Sequence, residues 1–299
     1  MAIPLWAVLS ILAAFLWAIT NAVDKFVYSK WIKHQHVFAP ALILAPISLI
    51  TAFIIYFTQG FAQLSFIHLL LALFSGAVFA VLIILYIKAV QIEEVSRVIP
   101  LFYLAPAFTA IMAALFLSEV FAAIDYIGIA LLMLGAILIS TRSLKQISLG
   151  KAFWLMFLAA LFWAISLVVT KYLLNFTDYW TIFAYARRGT FLSISPLFFF
   201  YFKDLVATLK EHGAKVVTVI GLSESLSLSA TLSITIASAV GFVTLVNALA
   251  AVQPFFILAI AAALSIFYPK ILKEDVDKKT IALKLIAITI IFIGAMIIT

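Results

Sequence analysis

The chain has 299 residues, of which 67% are hydrophobic and only 10% are charged, whereas soluble domains are roughly 45–50% apolar and about 25% charged. This composition excludes a water-soluble fold, and the absence of cysteine excludes disulfides and thiolate metal sites. The net charge of +7 is carried by residues between apolar runs, which favours an acidic membrane face over nucleic acid as the partner.

Long apolar segments follow one another along the whole chain. A transmembrane helix needs about 20 apolar residues to cross a hydrocarbon core of about 30 Å. Segments of this kind cover residues 3–23, 37–58, 66–88, 96–118, 123–141, 152–174, 179–202, 215–238, 241–267 and 280–298. Unpaired backbone groups are costly in lipid, and these runs are too long and too continuous for barrel strands. The sequence therefore predicts an all-α integral membrane protein with ten transmembrane helices.

One stretch of the sequence occurs twice. Residues 12–25 read LAAFLWAITNAVDK and residues 158–171 read LAALFWAISLVVTK, and eight of these 14 positions are identical. The duplication predicts two repeats of five spans each, residues 1–146 and residues 147–299, with no soluble domain. Because five is an odd number, the second copy must insert in the opposite direction, as in inverted-repeat transporters.

Small residues in the last span of each predicted repeat support the duplication. Gly128 and Gly135 in span five match Ala287 and Gly294 in span ten, seven residues apart in each case. Small residues at this spacing share a helix face and permit close approach. The alternative is the ordinary scatter of glycine in membrane helices.

Charge placement predicts the orientation of the chain. Sixteen of the 19 Lys and Arg lie in or beside the connections after spans one, three, five, seven and nine. The other three are Lys171, Arg187 and Arg188. Because basic connections stay in the cytoplasm, this pattern predicts a multi-pass protein of the plasma membrane with both termini outside the cytoplasm.

The stretch from span four into span five carries a recognisable set of residues. In order they are Ser96, Arg97, Pro106, Glu119, Gly128 and Gly135. Their order and spacing resemble the EamA type of the drug/metabolite transporter superfamily. In the second half Pro254 matches Pro106, but Phe267 stands where an acidic residue is expected.

The resemblance implies a ten-helix carrier with two inverted repeats. Its central cavity would be lined by spans one, three, four, six, eight and nine, and it would export or exchange small metabolites such as amino acids. Many members resemble proteins with both termini in the cytoplasm. The orientation predicted from the charges departs from them, which bears on the direction of transport more than on the fold.

Three charged residues lie within predicted spans. Glu224 is about 15 Å along span eight, near the bilayer centre, where a carboxylate must face a cavity, find a partner or be protonated. We predict that Glu224 contacts substrate and couples transport to protons; the alternative is a neutral glutamate bonded between helices. Arg187 would share in ion coupling by pairing with Glu224 or by meeting an anionic substrate group, whereas Arg188 would snorkel. A purely structural ion pair is the alternative.

Further residues are predicted to bind the substrate. Trp17 and Trp163 occupy equivalent repeat positions and would form an aromatic gate or stacking wall, unless they only fill space between helices. Asn21 and Ser166 follow them by about one turn. The other predicted substrate-binding residues are Tyr103, Ser225, Asn247 and Gln253. The two amides would line the cavity or join helices. The Ser-rich span eight indicates either a broken helix or hydroxyls bonded to their own helix.

Pro100, Pro106 and Pro254 lie within apolar segments and are predicted to kink them. No nucleotide-binding motif, metal-ligand cluster or nucleophile set stands out, so no cofactor, metal or enzymatic activity is expected. The sequence thus predicts a secondary transporter for a small polar, amino-acid-like metabolite that works by alternating access, with efflux driven by protons or by the substrate gradient. The alternatives are a membrane enzyme or lipid-handling protein, such as a scramblase or transferase, and a scaffold.

Overall fold

The computed structural model describes residues 3–32, 38–92, 101–140, 150–267 and 278–299, and within these ranges the chain is helical with no strand. The helices are α1 (Leu5–Lys30), α2 (Ala39–Gln59), α3 (Phe66–Ile92), α4 (Ala105–Leu117), α5 (Ala123–Ser140), α6 (Lys151–Leu173), α7 (Tyr179–Ile194), α8 (Leu197–His212), α9 (Ala214–Val240), α10 (Val243–Ala250), α11 (Gln253–Phe267) and α12 (Lys278–Ile298). Ser96, Arg97 and Pro100 lie outside the described residues, as does most of the connection between the predicted repeats.

The helices have the length and composition of membrane spans. Six described stretches are long and apolar enough to cross a membrane, and α7 with α8 would make a seventh if this bent pair is one span. Helices α4, α5 and α12 are apolar but shorter over their described residues. The prediction of an all-α multi-pass membrane protein is therefore confirmed, whereas the count of ten spans stays a prediction.

The predicted seventh span is not one straight helix. Helices α7 and α8 meet at an angle of 81° at Ser195 and Pro196. Proline cannot donate its nitrogen to the preceding turn, and its ring clashes with the carbonyl four residues earlier, so the first helix ends there. Helix α8 then starts in a new direction.

The prolines predicted as kinks begin helices instead. Pro106 is the second residue of α4, and Pro254 is the second residue of α11. The first turn of a helix has no internal acceptor for its N–H groups, so proline loses nothing there. Spans four and nine are therefore interrupted two to three residues before each proline, at Leu104 and at Ala251.

Helices α1 and α9 run antiparallel between two ends of the bundle. His212 contacts the backbone of Trp31 at 2.9 Å, so α9 starts where α1 finishes. Trp6, at the start of α1, lies against Gly241 at the far end of α9. We call the end near Trp31 and His212 the basic end, because Lys203, Lys210 and Lys215 lie there. We call the end near Trp6 and Gly241 the opposite end.

Several of the helices pack in pairs that join the first half of the chain to the second. Helix α3 packs along α6, and α1 packs along α9. Helix α4 lies on α6, while α10 and α11 lie on α1. Helices α5 and α12 also approach closely, since Gly128 faces Gly294 and Gly135 faces Ala287. The largest buried apolar cluster lies at the centre, around Phe79, Trp163 and Val246, and it surrounds the cavity described next.

Candidate functional site

A cavity of about 160 Å³ lies in the middle of the bundle. It is lined by Trp17, Thr20, Asn21, Asp24, Phe79, Leu82, Ile83, Tyr86, Phe102, Tyr103, Ala105, Pro106, Met156, Trp163, Ser227, Asn247, Ala250, Ala251 and Gln253. At about 10–15 Å³ for each water, the cavity has room for on the order of ten waters or one small molecule. The two helix interruptions, before Pro106 and before Pro254, both border it.

Six of the predicted substrate-binding residues line this cavity. They are Trp17, Asn21, Tyr103, Trp163, Asn247 and Gln253. They come from α1, α6, α10, α11 and the segment just before α4, so residues far apart in sequence converge on one space. Arg187, Glu224, Ser166 and Ser225 are not among the lining residues and are described below.

The two repeat-equivalent tryptophans meet each other at the inner end of the cavity. The rings of Trp17 and Trp163 are 5.5 Å apart and nearly perpendicular, at 78°. Along α1, Asn21 and Asp24 lie roughly 6 and 10 Å from Trp17 in the direction of the basic end. The cavity therefore extends from the tryptophan pair toward the basic end.

Trp163 is fixed by a chain of hydrogen bonds. Its indole nitrogen donates to Asn247 Oδ1 at 3.1 Å, and Asn247 Nδ2 donates to Thr109 Oγ1 at 2.7 Å. The Thr109 hydroxyl donates in turn to the carbonyl of Ala105 at 3.0 Å. The buried amide thus joins α6, α10 and α4, and it also borders the cavity. Asn247 therefore has both of the positions predicted for it, between helices and in the cavity wall.

Asp24 lines the cavity, although it was predicted to follow the first span. The first span was predicted to end at residue 23, whereas α1 continues to Lys30 and carries Asp24 into the bundle. Its carboxylate accepts a hydrogen bond from the side chain of Ser223 on α9. A signal was present in the sequence, because Trp17, Asn21 and Asp24 recur at four- and three-residue spacing on one helix face.

Glu224 belongs to a charged group inside the bundle, beside the cavity, in which Glu224 and Asp24 are partly buried and Arg187 is buried. It lies one turn from Ser227, which lines the cavity, and it interacts electrostatically with Asp24 and Arg187. Tyr86 on α3 interacts electrostatically with both carboxylates. Its hydroxyl has no hydrogen-bond partner among the described residues. Two acids and one base from α1, α7 and α9 therefore share the interior.

Arg187 lies in a second, smaller pocket of about 20 Å³. Phe79 and Trp163 line both spaces and stand between them. Arg187 is 3% exposed, and its guanidinium lies over the rings of Phe79 and Phe183 at 4.7 and 5.0 Å. Its Nε and Nη1 atoms have no hydrogen-bond partner among the described residues. Arg188 instead lies over Phe61 at 4.4 Å.

The two serines of the predicted site lie elsewhere. Ser166 borders the smaller pocket and donates to the carbonyl of Ser75 at 3.0 Å, which ties α6 to α3. Ser225 is exposed on α9 and donates to the carbonyl of Gly221 at 2.8 Å. Helix α9 is continuous, and the hydroxyls of Ser225, Ser229 and Ser233 each donate to the carbonyl one turn back in the same helix. The alternative of a broken span eight is therefore wrong.

The turn between α9 and α10 is held from both sides at the opposite end. Lys171 Nζ donates to the carbonyls of Ser238 and Gly241 at 2.7 and 2.8 Å. The Glu119 carboxylate accepts from the N–H groups of Val243 and Thr244 at 3.0 and 3.1 Å. A cation thus satisfies the end of α9 and an anion the start of α10, as the helix dipoles favour.

An all-helical bundle with several apolar spans defines the class of multi-pass membrane proteins. Within that class, residues 4–141 match the EamA-like transporter family, which confirms the resemblance seen in the sequence. This match over the first half of the chain suggests a membrane transporter of small molecules.

The fold as a whole is also similar to known structures. One solved structure, titled only "Crystal structure of protein", matches 98% of this chain and 95% of its own, with a TM-score of 0.71. The two sequences are 12% identical, so this likeness shows the fold alone. No curated protein matches the chain.

Proposed function

We propose that the protein is a secondary transporter that moves a small polar metabolite across the plasma membrane by alternating access. The observation that carries the proposal is the central cavity, which extends toward the basic end and meets the contact of Trp17 and Trp163 at its inner end. A transporter needs a site that reaches one face at a time, and a cavity blocked at mid-depth by two side chains suits that need.

The proposed architecture is a pair of inverted repeats, residues 1–146 and 147–299. In a two-fold arrangement, a residue that lies on the axis contacts its own equivalent. If one residue contacts a second one away from the axis, their two equivalents also contact each other. Trp17 and its equivalent Trp163 touch each other. Gly128 contacts Gly294, which matches Gly135, and Gly135 contacts Ala287, which matches Gly128. These reciprocal contacts support rocking of one half against the other.

In this proposal the turn between α9 and α10 acts as the closed gate at the opposite end. Its bonds to Lys171 and Glu119 join this turn to α6 and to the end of α4. Opening that end must break at least some of these bonds, and a corresponding closure forms at the basic end. The basic end is the cytoplasmic one by the charge rule, which places both termini outside and lets the cavity load from the cytoplasm for efflux.

The proposed driving force is a proton gradient or the gradient of the substrate. Glu224 is the proposed proton carrier, because a carboxylate buried in a membrane protein is stable when paired or protonated and can change between the two. The groups that face it are Asp24 on α1, Tyr86 on α3 and Arg187 on α7. Movement of the halves would alter these contacts and so release or take up the proton.

A ligand screen followed by exchange in liposomes tests the proposal. Purified protein is heated with amino acids, nucleosides and sugars, because a ligand that binds only the folded form raises the melting temperature. A stabilising compound is then offered in labelled form to liposomes loaded with the unlabelled compound. We expect the wild type to exchange the compound and Trp163→Ala to lose this exchange. Trp154 is 56% exposed, so the control variant Trp154→Ala should exchange the compound as the wild type does.

Two results would contradict the transporter proposal. One is the absence of exchange for any stabilising compound, and the other is equal exchange by Trp163→Ala and wild type. Movement of labelled phospholipid between leaflets, without solute exchange, would instead support the lipid-handling alternative.

A further inference from the structure

The charge of the described cavity wall is one-sided. Asp24 is the only acidic residue among the described lining residues, and none of them is Lys, Arg or His. Arg187 is separated from this space by Phe79 and Trp163. Lys171 bonds to backbone carbonyls at the opposite end. Nothing described in the wall therefore neutralises Asp24.

Aromatic rings make up much of the same wall. The lining includes Trp17, Phe79, Tyr86, Phe102, Tyr103 and Trp163. The ring of Trp163 is 6.1 Å from Phe79 and 6.4 Å from Phe102, so these side chains form one continuous surface. The faces of aromatic rings attract cations, and the attraction is strongest where water is excluded.

The polar groups of the wall also offer acceptors. The Thr20 hydroxyl donates its hydrogen to the carbonyl of Trp17 at 2.9 Å, so only its lone pairs face the cavity. Asn21 and Gln253 add side-chain amides, whose carbonyls accept hydrogen bonds and whose amino groups donate them. The Asp24 carboxylate accepts from Ser223 and keeps further acceptor positions. A ligand that donates hydrogen bonds or carries positive charge matches these groups.

We propose that the central cavity binds a small organic cation, an ammonium compound, with Asp24 as its counter-ion and the aromatic wall around its charged group. The inference rests on the proposed transport function and names the substrate class of the same site. A partly buried carboxylate inside a membrane protein is costly without a cationic partner, and a bound ammonium supplies that partner. The alkyl groups of such a ligand pack against the rings, which adds apolar burial.

Matched probes separate charge from shape. Choline and its carbon isostere 3,3-dimethyl-1-butanol differ in the charged nitrogen, and butyrate carries the opposite charge. The melting temperature of purified wild-type protein is measured against the concentration of each compound. We expect choline to raise the melting temperature at concentrations at least about tenfold lower than the isostere, and butyrate to have no effect. Stronger stabilisation by the isostere or by butyrate would overturn the inference.

Two variants locate the effect. Asp24→Asn keeps the size of the side chain and removes its charge, so it should weaken choline binding by about tenfold or more. Asp125→Asn is the matched control, because Asp125 lies in the first turn of α5 and does not line the cavity. Unchanged choline binding by folded Asp24→Asn would overturn the inference. If that variant fails to fold, the comparison of the three probes on wild type still decides it.

The same experiment distinguishes failure of the inference from failure of the transporter proposal. Exchange of a neutral or anionic compound in liposomes, with no preference for choline over its isostere, would overturn the cationic class and leave the transporter proposal standing. Absence of exchange for every compound that stabilises the protein would contradict the transporter proposal itself.

Discussion

Glu119 accepts hydrogen bonds from both the N–H and the hydroxyl of Thr244, at 3.1 and 2.9 Å, across 125 positions of sequence. An acid from the first half of the chain thus caps a helix of the second half. The equivalent position in the second half is Phe267, which has no acidic group. An acidic side chain is therefore present at this position in only one of the two predicted repeats.

We expect Glu119→Ala to lower the free energy of unfolding by about 2–4 kcal/mol, because it leaves buried N–H groups without an acceptor. Glu119 is 4% exposed. Thermal unfolding in detergent measures the change. Asp125→Ala is the control, since Asp125 accepts one exposed hydrogen bond, from Ala122. Equal melting temperatures for Glu119→Ala and wild type would show that the cap is not needed.

The crossing of α5 and α12 predicts an order of tolerance among glycines. A Cβ on Gly294 would lie 2.8 Å from the Gly128 carbonyl oxygen and 2.9 Å from the Leu132 nitrogen, and backbone atoms cannot easily move away. We expect Gly294→Ala to destabilise the protein by about 1–3 kcal/mol. At Gly221 the nearest atom is Ile47 Cδ1 at 3.8 Å, so Gly221→Ala should be tolerated. Thermal unfolding compares the two, and the reverse order would contradict the close packing.

The hydrogen bonds of Asp178, at the start of α7, should make the free energy of unfolding depend on pH. Burial alone would raise the pKa of Asp178, but its hydrogen bonds, chiefly those from Thr181, outweigh this and lower the pKa below its usual 3.8. A lowered pKa stabilises the fold above the unfolded value of about 4, and this contribution is lost as the pH falls through the folded value.

Asp178→Ala should therefore cost about 1 kcal/mol at neutral pH, as loss of a helix cap does. The difference from wild type should shrink as the pH falls below about 4. Melting temperatures of both proteins between pH 3 and pH 7 measure it. A difference that grows on acidification would contradict the cap.

Glu224→Gln should remove the pH dependence of transport while the protein still inserts and folds. Glutamine keeps the size of the side chain but cannot exchange a proton. Initial rates of uptake into liposomes at several pH values compare it with Glu211→Gln, a substitution at an exposed position on α8. Rates that depend on pH equally in all three proteins would assign the proton role to another group, such as the neighbouring Asp24.

The sequence predicted the helical class and most of the cavity because both depend on local patterns. Trp17 and Trp163 were found through the repeated stretch, and Asn247 and Gln253 through the cost of burying amides. Asp24 was missed because it follows the apolar run, and the length of a helix beyond that run is set by packing. Its contact with Ser223 joins two helices and could not be predicted from either one.

Arg187 and Ser225 show that the position of a residue along a helix does not alone predict whether it lines the cavity. Arg187 lies at the expected depth, but Phe79 and Trp163 separate it from the cavity, and this separation depends on how α3, α6 and α7 pack. Ser225 lies on the outer face of α9, and helical spacing does not tell which face of a polar helix points inward. Similarly, Pro106 and Pro254 lie in the first turns of helices, because the helical segment is interrupted just before each of them.

The central claim is that the two halves are inverted about a shared cavity, and surface labelling tests it most directly. The chain has no cysteine, so single cysteines are introduced as Gln63→Cys, after α2, and Lys210→Cys, near the end of α8. These positions follow span two and span seven, which correspond in the two predicted repeats. A membrane-impermeant maleimide should label Gln63→Cys in intact cells and Lys210→Cys only after the membrane is opened. Labelling of both positions from the same face would contradict the inversion.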